Sequence, residues 1–273
     1  MRPTCLWGRE FVSGKERWSE PARRCFETWS RGPWSEETPR ASSSGESYSP
    51  ARECGSTPAQ TRWPVGKAAV SVLIPAKNEA ENIRACLASV AWADEAVVVD
   101  SQSSDGTAER AAQSGARVVQ FHYVPGGPKK KNWALRNVDF RNEWILILDA
   151  DERVTPRLAE EIISIIPDGG CECSGFYINR RFYFAGKWIR HAGYYPSWNL
   201  RLLRRGAGEY ETVPDPTGQT GDNEVHEHIL LKGKAGWLRE PLDHYAYPDI
   251  FTFVEKHNRY STWEALVQEV SHV

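Results

Sequence analysis

At 273 residues the chain is long enough for one large domain or two small ones. Its 40% hydrophobic and 26% charged residues fit a globular protein, and a net charge of -2 excludes a general electrostatic pull toward nucleic acid or anionic lipid. No apolar run nears the roughly 20 residues needed to span a bilayer, which excludes a spanning helix but leaves surface attachment open.

From Met1 to Lys67 the large aliphatic residues are only Met1, Leu6, Val12 and Val65, amid Arg, Ser, Glu, Gly and Pro. The tryptophans there (Trp7, Trp18, Trp29, Trp34, Trp63) have no aliphatic partners to pack on. Such a segment cannot offset a chain entropy of roughly 1–2 kcal/mol per residue, so residues 1–67 are expected to form a disordered extension. It lacks the apolar core of a secretory signal and carries too many acids for a transit peptide. An extension from a misassigned start codon fits this pattern. Cys5, Cys25, Cys54, Cys86, Cys171 and Cys173 make no disulfide or zinc framework and read as reduced thiols of a cytoplasmic protein.

Regular patterning starts at Ala69. Val70-Ser71-Val72-Leu73-Ile74 predicts a buried strand ending at Pro75, followed by a helix that Asn78 caps, with Glu81 completing a capping box. Ala96-Val97-Val98-Val99 predicts a second strand running into Asp100. A small polar loop, a helix over about 106–114 and a stop at Gly115 come next, and Arg117 to Phe121 reads as a third strand. After the Pro125-Gly126-Gly127-Pro128 turn comes a helix containing Trp133, Ala134 and Leu135. Trp144 to Leu148 is apolar on both faces, as in a central strand covered by helices. This alternation predicts an α/β protein with a doubly wound, mostly parallel sheet and helices on both faces. Ligands of such sheets bind outside the carboxyl ends of the strands, and the polar residues collect there.

Beyond Pro167 the periodicity shortens. Strands are expected at Phe176–Asn179, Trp198–Leu203 and Val225–Leu231, separated by a Gly-, Pro- and acid-rich loop over 209–223. Ile250, Phe253, Val254, His257, Tyr260, Trp263, Leu266 and Val270 then form a helical stripe, reaching nearly to the last residue, Val273. Phe253, Tyr260 and Trp263 could face a bilayer or pack on the sheet, and packing is the expectation.

Several segments carry chemistry. Leu148-Asp149-Ala150-Asp151-Glu152 puts two carboxylates on one side of an extended chain at a strand exit, where they can share Mg2+ or Mn2+ with phosphate oxygens. The alternative is a helix N-terminus with acids in its first turn, ahead of Thr155-Pro156. Asp100-Ser101-Gln102-Ser103-Ser104-Asp105-Gly106-Thr107 can accept hydrogen bonds from a base or a ribose, or can simply make a turn. Lys129-Lys130-Lys131-Asn132 opposes the dipole of the helix it starts unless an anion lies nearby, the alternative being a solvated charge run. In Glu224-Val225-His226-Glu227-His228-Ile229, Glu227 could be a carboxylate base, His226 and His228 could pair on zinc, or the segment could be a plain edge strand.

Together, Val72-Leu73-Ile74-Pro75-Ala76-Lys77-Asn78-Glu79, Val98-Val99-Asp100-Ser101 with Ser104-Asp105-Gly106-Thr107, Lys131-Asn132-Trp133-Ala134-Leu135 and Leu148-Asp149-Ala150-Asp151-Glu152 resemble family 2 of the glycosyltransferases, which have the Rossmann-like GT-A fold. Val225-His226-Glu227, His244-Tyr245 and Lys256-His257-Asn258-Arg259-Tyr260-Ser261 look like a narrower branch that includes lipopolysaccharide-core β-1,4-glucosyltransferases. The resemblance implies a GT-A domain over 68–273, with a nucleotide-binding half over about 68–152 and an acceptor half over about 153–273. It implies that Pro75, Ala76 and Glu79 border the nucleotide, Asp100 binds uracil, and Lys131 lies near the base or diphosphate. Asp149 then contacts ribose or metal, Asp151 holds Mg2+ or Mn2+, His244 adds a metal or diphosphate contact, and Glu227 is the candidate base.

The implied activity is inverting transfer from a nucleotide-sugar, a UDP-hexose by this reading, to a saccharide or lipid-linked acceptor in cell-envelope or lipopolysaccharide synthesis. The place is the cytoplasm, with peripheral contact at the inner membrane face allowed and no nucleic-acid partner. A nucleotidyltransferase and a non-catalytic nucleotide-sugar-binding module are the competing expectations. The first is disfavoured by Pro75-Ala76-Lys77-Asn78-Glu79, which is not a Gly-rich basic loop.

Overall fold

A computed structural model describes residues 67–166, 172–212 and 228–271, with side chains up to residue 265, together with strands β1 (Arg9–Val12) and β2 (Lys15–Trp18). The chain divides into two units, Met1–Pro58 and Ala59–Val273. In the first, β1 and β2 pair antiparallel. The remainder of the segment expected to lack structure lies outside the described residues.

In the second unit the order is β3 (Ala68–Ala76), α1 (Ile83–Ser89), β4 (Ala93–Asp100), α2 (Thr107–Gln113), β5 (Arg117–Gln120), α3 (Lys130–Asn137) and β6 (Trp144–Ile147). Next come β7 (Glu152–Val154), α4 (Pro156–Ile165), β8 (Cys173–Phe184), β9 (Lys187–Trp188), β10 (Trp198–Arg204) and β11 (Gly208–Tyr210). The last elements are β12 (Ile229–Leu231), β13 (Lys234–Trp237), β14 (Leu242–Tyr247) and α5 (Ile250–Ser271).

A ten-stranded sheet runs β5-β4-β3-β6-β10-β8-β14-β7, with β9 and β13 also paired to β8. The block β5-β4-β3-β6 is parallel throughout. Alternation along its strands explains the helices on both faces. Val70, Val72, Ile74, Val98, Leu146 and Leu148 pack on the side of Ile83 and Leu87 (α1) and Leu158 and Ile162 (α4). Leu73, Val97, Val99, Ile145 and Ile147 pack on the other side, with Ala134 of α3 and Phe140. Each such side chain, fully buried, contributes about 1.5–3 kcal/mol. Strand order reverses between β3 and β6, and in sheets of this kind ligands bind at that point, outside the carboxyl ends of the strands.

Three sequence expectations change. The helix after β3 begins at Ile83 rather than directly after Asn78, because Asn78 takes φ +54°, a left-handed bend instead of the extended backbone of a helix cap, and Asn82 holds the cap position. The short strand expected at Phe176–Asn179 is a strand of 12 residues, β8, around which β9, β10, β13 and β14 are paired, while the pairing of β10 with β6 makes one sheet of the two halves. The second half is also more mixed than expected: β10 is antiparallel to β6 and β8, and β14 antiparallel to β7. Of the strand expected at Val225–Leu231, only β12 lies among the described residues.

Candidate active site

Two loops that leave the carboxyl ends of β3 and β4 are zipped together. Lys77 Nζ donates to the Ser101 carbonyl at 2.5 Å, and Asn78 N–H donates to Ser103 Oγ at 2.8 Å. Glu79 N–H reaches Thr107 Oγ1 at 2.8 Å, Ala80 N–H reaches Asp105 Oδ2 at 2.9 Å, and Ser104 N–H reaches Asn78 Oδ1 at 3.0 Å. The small polar run after Asp100 therefore serves the turn, and it holds the two loops in one shape.

Asp100 ends β4 fully buried. Its carboxylate accepts from Ser103 N–H at 3.0 Å, from Gln120 Nε2 at 3.0 Å and from Ser103 Oγ. These take up three of its roughly four acceptor positions. Lys130 and Lys131 are buried too, at 4% and 8% exposure, so the solvated-charge reading of this run does not hold. Lys130 Nζ donates to the carbonyl of Ala76 at 2.9 Å, tying α3 to the end of β3. Lys131 Nζ lies 3.2 Å from Asp149 Oδ1 and sits over the Tyr210 ring. Its neighbour Asn132 is anchored both ways to the Tyr210 backbone, at 2.9 and 2.8 Å.

The acids at the exit of β6 are not the first turn of a helix. Thr155 caps α4, accepting from Leu158 N–H at 3.2 Å with Pro156 at the first helical position, while Glu152 opens β7. The turn is folded by Glu152 itself, whose Oε2 accepts from Asp149 N–H at 2.9 Å. Arg153 braces it, donating to the Ala150 carbonyl at 2.8 Å and to the Asn82 carbonyl at 3.1 Å.

From the second half of the sheet come the counter-charges. Arg201 of β10, 4% exposed, puts Nη2 2.6 Å from Asp149 Oδ2 and 2.9 Å from Glu152 Oε1. Arg180 of β8 lies 3.6 Å from the same Glu152 oxygen. His244 of β14 faces Asp151 Oδ2 with Nε2 at 3.3 Å, and its Nδ1 stands 4.0 Å from Glu152 Oε1. Lys256 of α5 reaches that same Asp151 oxygen at 3.6 Å. Burial would raise the Asp149 carboxyl, but Arg201 and Lys131 outweigh it and hold the group well below the ordinary carboxylate range. Asp151 is the more buried of the two, and although that burial would raise its carboxyl, His244 and Lys256 hold it low. Glu79, by contrast, is pushed up by burial and by the Asp151 charge.

Asp149, Asp151, Lys131 and His244 are thus gathered at one place, with Ala76 at its edge. Pro75 is partly exposed beside it, and Glu79 is close enough to sense Asp151. Glu227 and His226 lie outside the described residues. His228 is exposed and pairs with Glu211 at 3.0 Å. Sequence reasoning assigned no role to Arg201, Arg180, Glu152 or Lys256. An arginine inside the apolar run Leu200-Arg201-Leu202-Leu203 was the available signal, since a charge in a buried strand needs a buried partner.

Among the described residues no three His, Cys, Asp or Glu side chains form a metal cage of their own. The donor set nevertheless fits a divalent cation that keeps open positions for phosphate and water. Asp151 and His244 present one oxygen and one nitrogen side by side, and the buried His244 Nδ1, with no hydrogen-bond partner among the described residues, lies 4.0 Å from Glu152 Oε1. Asp149 fits less well, since each of its oxygens already meets a cation.

The family profile described as "Glycosyl transferase family 2" matches residues 71–229. The chain belongs to that family. The lipopolysaccharide core biosynthesis glycosyltransferase LpsC of Rhizobium meliloti (strain 1021) is 30% identical over 206 residues, covering 74% of this chain and 72% of the relative. An uncharacterized glycosyltransferase of Rickettsia felis is 30% identical over 200 residues, covering 72% of this chain and 69% of the relative.

Among solved structures, glucosyl-3-phosphoglycerate synthase of Mycobacterium tuberculosis, in complex with Mn2+, uridine-diphosphate and glucosyl-3-phosphoglycerate, overlaps 43% of this chain and 45% of its own, at 26% identity and TM-score 0.34. S. aureus TarS 1-349 overlaps 65% and 60%, at 18% identity and TM-score 0.43. Both overlaps are partial, and family membership rests on the profile and the Rhizobium relative. Membership agrees with the mixed α/β fold of this family 2 glycosyltransferase and its mostly parallel block. Among the described residues no helix is long and apolar enough to cross a membrane.

Proposed function

We propose that this family 2 glycosyltransferase is a metal-dependent, inverting hexosyltransferase that uses a UDP-sugar donor and a saccharide or glycolipid acceptor of the cell envelope. The observation that carries the reading is the meeting of Asp149, Asp151, Lys131 and His244 beyond the carboxyl end of β6, next to the point where strand order reverses. The Rhizobium relative acts in lipopolysaccharide core biosynthesis by its name, which favours an envelope acceptor here. A cytoplasmic place, with peripheral contact at the inner membrane face, goes with such an acceptor.

In this reading Pro75, Ala76 and Glu79 border the nucleotide, and Asp100 shapes the loop beside the base with one acceptor position left for it. Lys131 faces the diphosphate from the start of α3. Asp151 and His244 hold the cation, and Asp149 orients Lys131 and meets the ribose side. When bound, Mg2+ or Mn2+ supplies positive charge against the diphosphate oxygens. An acceptor hydroxyl, whose pKa lies far above neutrality, needs a base within reach, and Glu227 is the candidate. The hydroxyl oxygen bonds to the anomeric carbon as its proton passes to the carboxylate. The bond from that carbon to the diphosphate oxygen breaks, and UDP leaves with the electron pair. One displacement inverts the anomeric centre.

The test is incubation with a panel of UDP-sugars and Mn2+, with and without saccharide and glycolipid acceptors, read by mass spectrometry. Release of UDP with a product one hexose heavier is expected for one donor. Tight UDP binding without release under any of these conditions replaces the reading with a non-catalytic nucleotide-sugar module.

A further inference from the structure

One cation at the site belongs to neither the parallel block nor the strands beside it. Lys256 projects from α5, the last element of the fold, and its Nζ stands 3.6 Å from Asp151 Oδ2. That oxygen is the one His244 Nε2 faces at 3.3 Å. The ammonium is steadied by donating to the Ala246 carbonyl at 3.0 Å, and it lies 6.0 Å from the centre of the Tyr247 ring. Its charge also acts on Glu79, in the loop that leaves β3.

The cations of this site differ in kind. Arg201 is enclosed and holds two carboxylates through a rigid planar group, so it cannot leave. Lys256 is a point charge on a flexible four-carbon stem, about a quarter exposed, with one carbonyl and one carboxylate as partners. A divalent cation bound through Asp151 Oδ2 comes within repelling distance of that ammonium. The donor's diphosphate brings negative charge to the same place.

We propose that Lys256 is an exchangeable counter-charge: it neutralises Asp151 while the site is empty, and turns to the donor's diphosphate when a divalent cation takes Asp151. It is a positioning residue in the empty enzyme and a diphosphate contact in the loaded one. The inference rests on the reading of Asp151 and His244 as the cation's ligands. It predicts effects of opposite sign, because removing the ammonium deletes a competitor of the metal and a ligand of the diphosphate together.

The experiment uses the full chain as wild type, Lys256→Gln and Lys256→Arg. Binding of Mn2+ alone is followed by the electron paramagnetic resonance signal of the free ion, and binding of UDP in saturating Mn2+ by calorimetry. Lys256→Gln keeps a donor for the Ala246 carbonyl and is expected to bind Mn2+ alone about tenfold tighter and UDP about tenfold weaker. Lys256→Arg is expected to restore UDP binding. Loss of both affinities together marks a merely structural role and overturns the inference, as does no change in either. Wild type that binds no Mn2+, with or without UDP, overturns the metal reading and this inference with it. Normal wild-type binding with an unshifted Lys256→Gln overturns the inference alone.

Discussion

Arg201→Met is the sharpest test of how the site is held together. The arginine is 4% exposed and touches Asp149 at 2.6 Å and Glu152 at 2.9 Å. At an effective dielectric of about 20, each contact has a gross attraction of about 6 kcal/mol, most of it offset by the desolvation of two buried ions and the partly buried Asp149. Methionine fills much of the space but takes the nearest cation from both acids. Asp149 keeps Lys131 at 3.2 Å, whereas Glu152, with no exposed surface, keeps Arg180 at 3.6 Å. Breaking a buried pair from one side costs about 3–5 kcal/mol, a large part of the 5–15 kcal/mol that holds most domains folded. Urea unfolding at pH 7, followed by circular dichroism, reads the loss directly. Adding Glu152→Gln, which removes the stranded charge, is expected to recover about 2 kcal/mol. A loss below about 1 kcal/mol, or a double variant whose effects simply add, refutes the claim that Arg201 balances these two acids.

Asp151→Ala is expected to lower Mn2+-dependent transfer at least about a hundredfold while the variant stays folded, checked by product mass and thermal unfolding. Glu227→Gln is expected to keep UDP-sugar binding and lose turnover by about a hundredfold or more; full turnover removes Glu227 from the mechanism. The depressed carboxyls of Asp149 and Asp151 stabilise the fold above their unfolded pKa, about 3.9, and that contribution is lost as pH falls through it toward their folded values. The urea midpoint should therefore drop below about pH 4, more shallowly in Asp151→Asn, and equal slopes count against the assignment. Glu79 has the opposite sign: its raised pKa makes its charge a cost near neutrality, so Glu79→Gln should raise the melting temperature at pH 7 and lose that advantage in acid.

What could be read without a structure was local. Largely apolar runs of four or five residues, closed by Pro75 in β3 and by an aspartate after β4 and β6, mark these strands, because a strand buried on both faces is mostly apolar and the change of residue type marks where it emerges. That is why Asp100, Asp149 and Asp151 were visible as a group at the strand ends. Lys131 was visible as a misplaced cation at a helix start. Turn chemistry was read less well: Asn78 has the composition of a helix cap but makes the bend that joins two loops.

Only the tertiary structure decided which charges meet. Arg201 is 52 residues from Asp149, and no local spacing relates them. They meet because β10 pairs antiparallel with β6, in a register that sets Leu202 opposite Leu146. His244 reaches the acids because β14 pairs with β7, setting His244 opposite Glu152 itself. Lys256 depends on the course of α5. Backbone hydrogen bonding fixes such registers across long stretches of chain, whereas side-chain pattern reports only which face of its own strand a residue occupies. The sequence alone therefore determined the family, the layered α/β architecture and the acids of the site. The packing of distant strands determined how those acids are neutralised, and so how they stand toward a cation and a diphosphate.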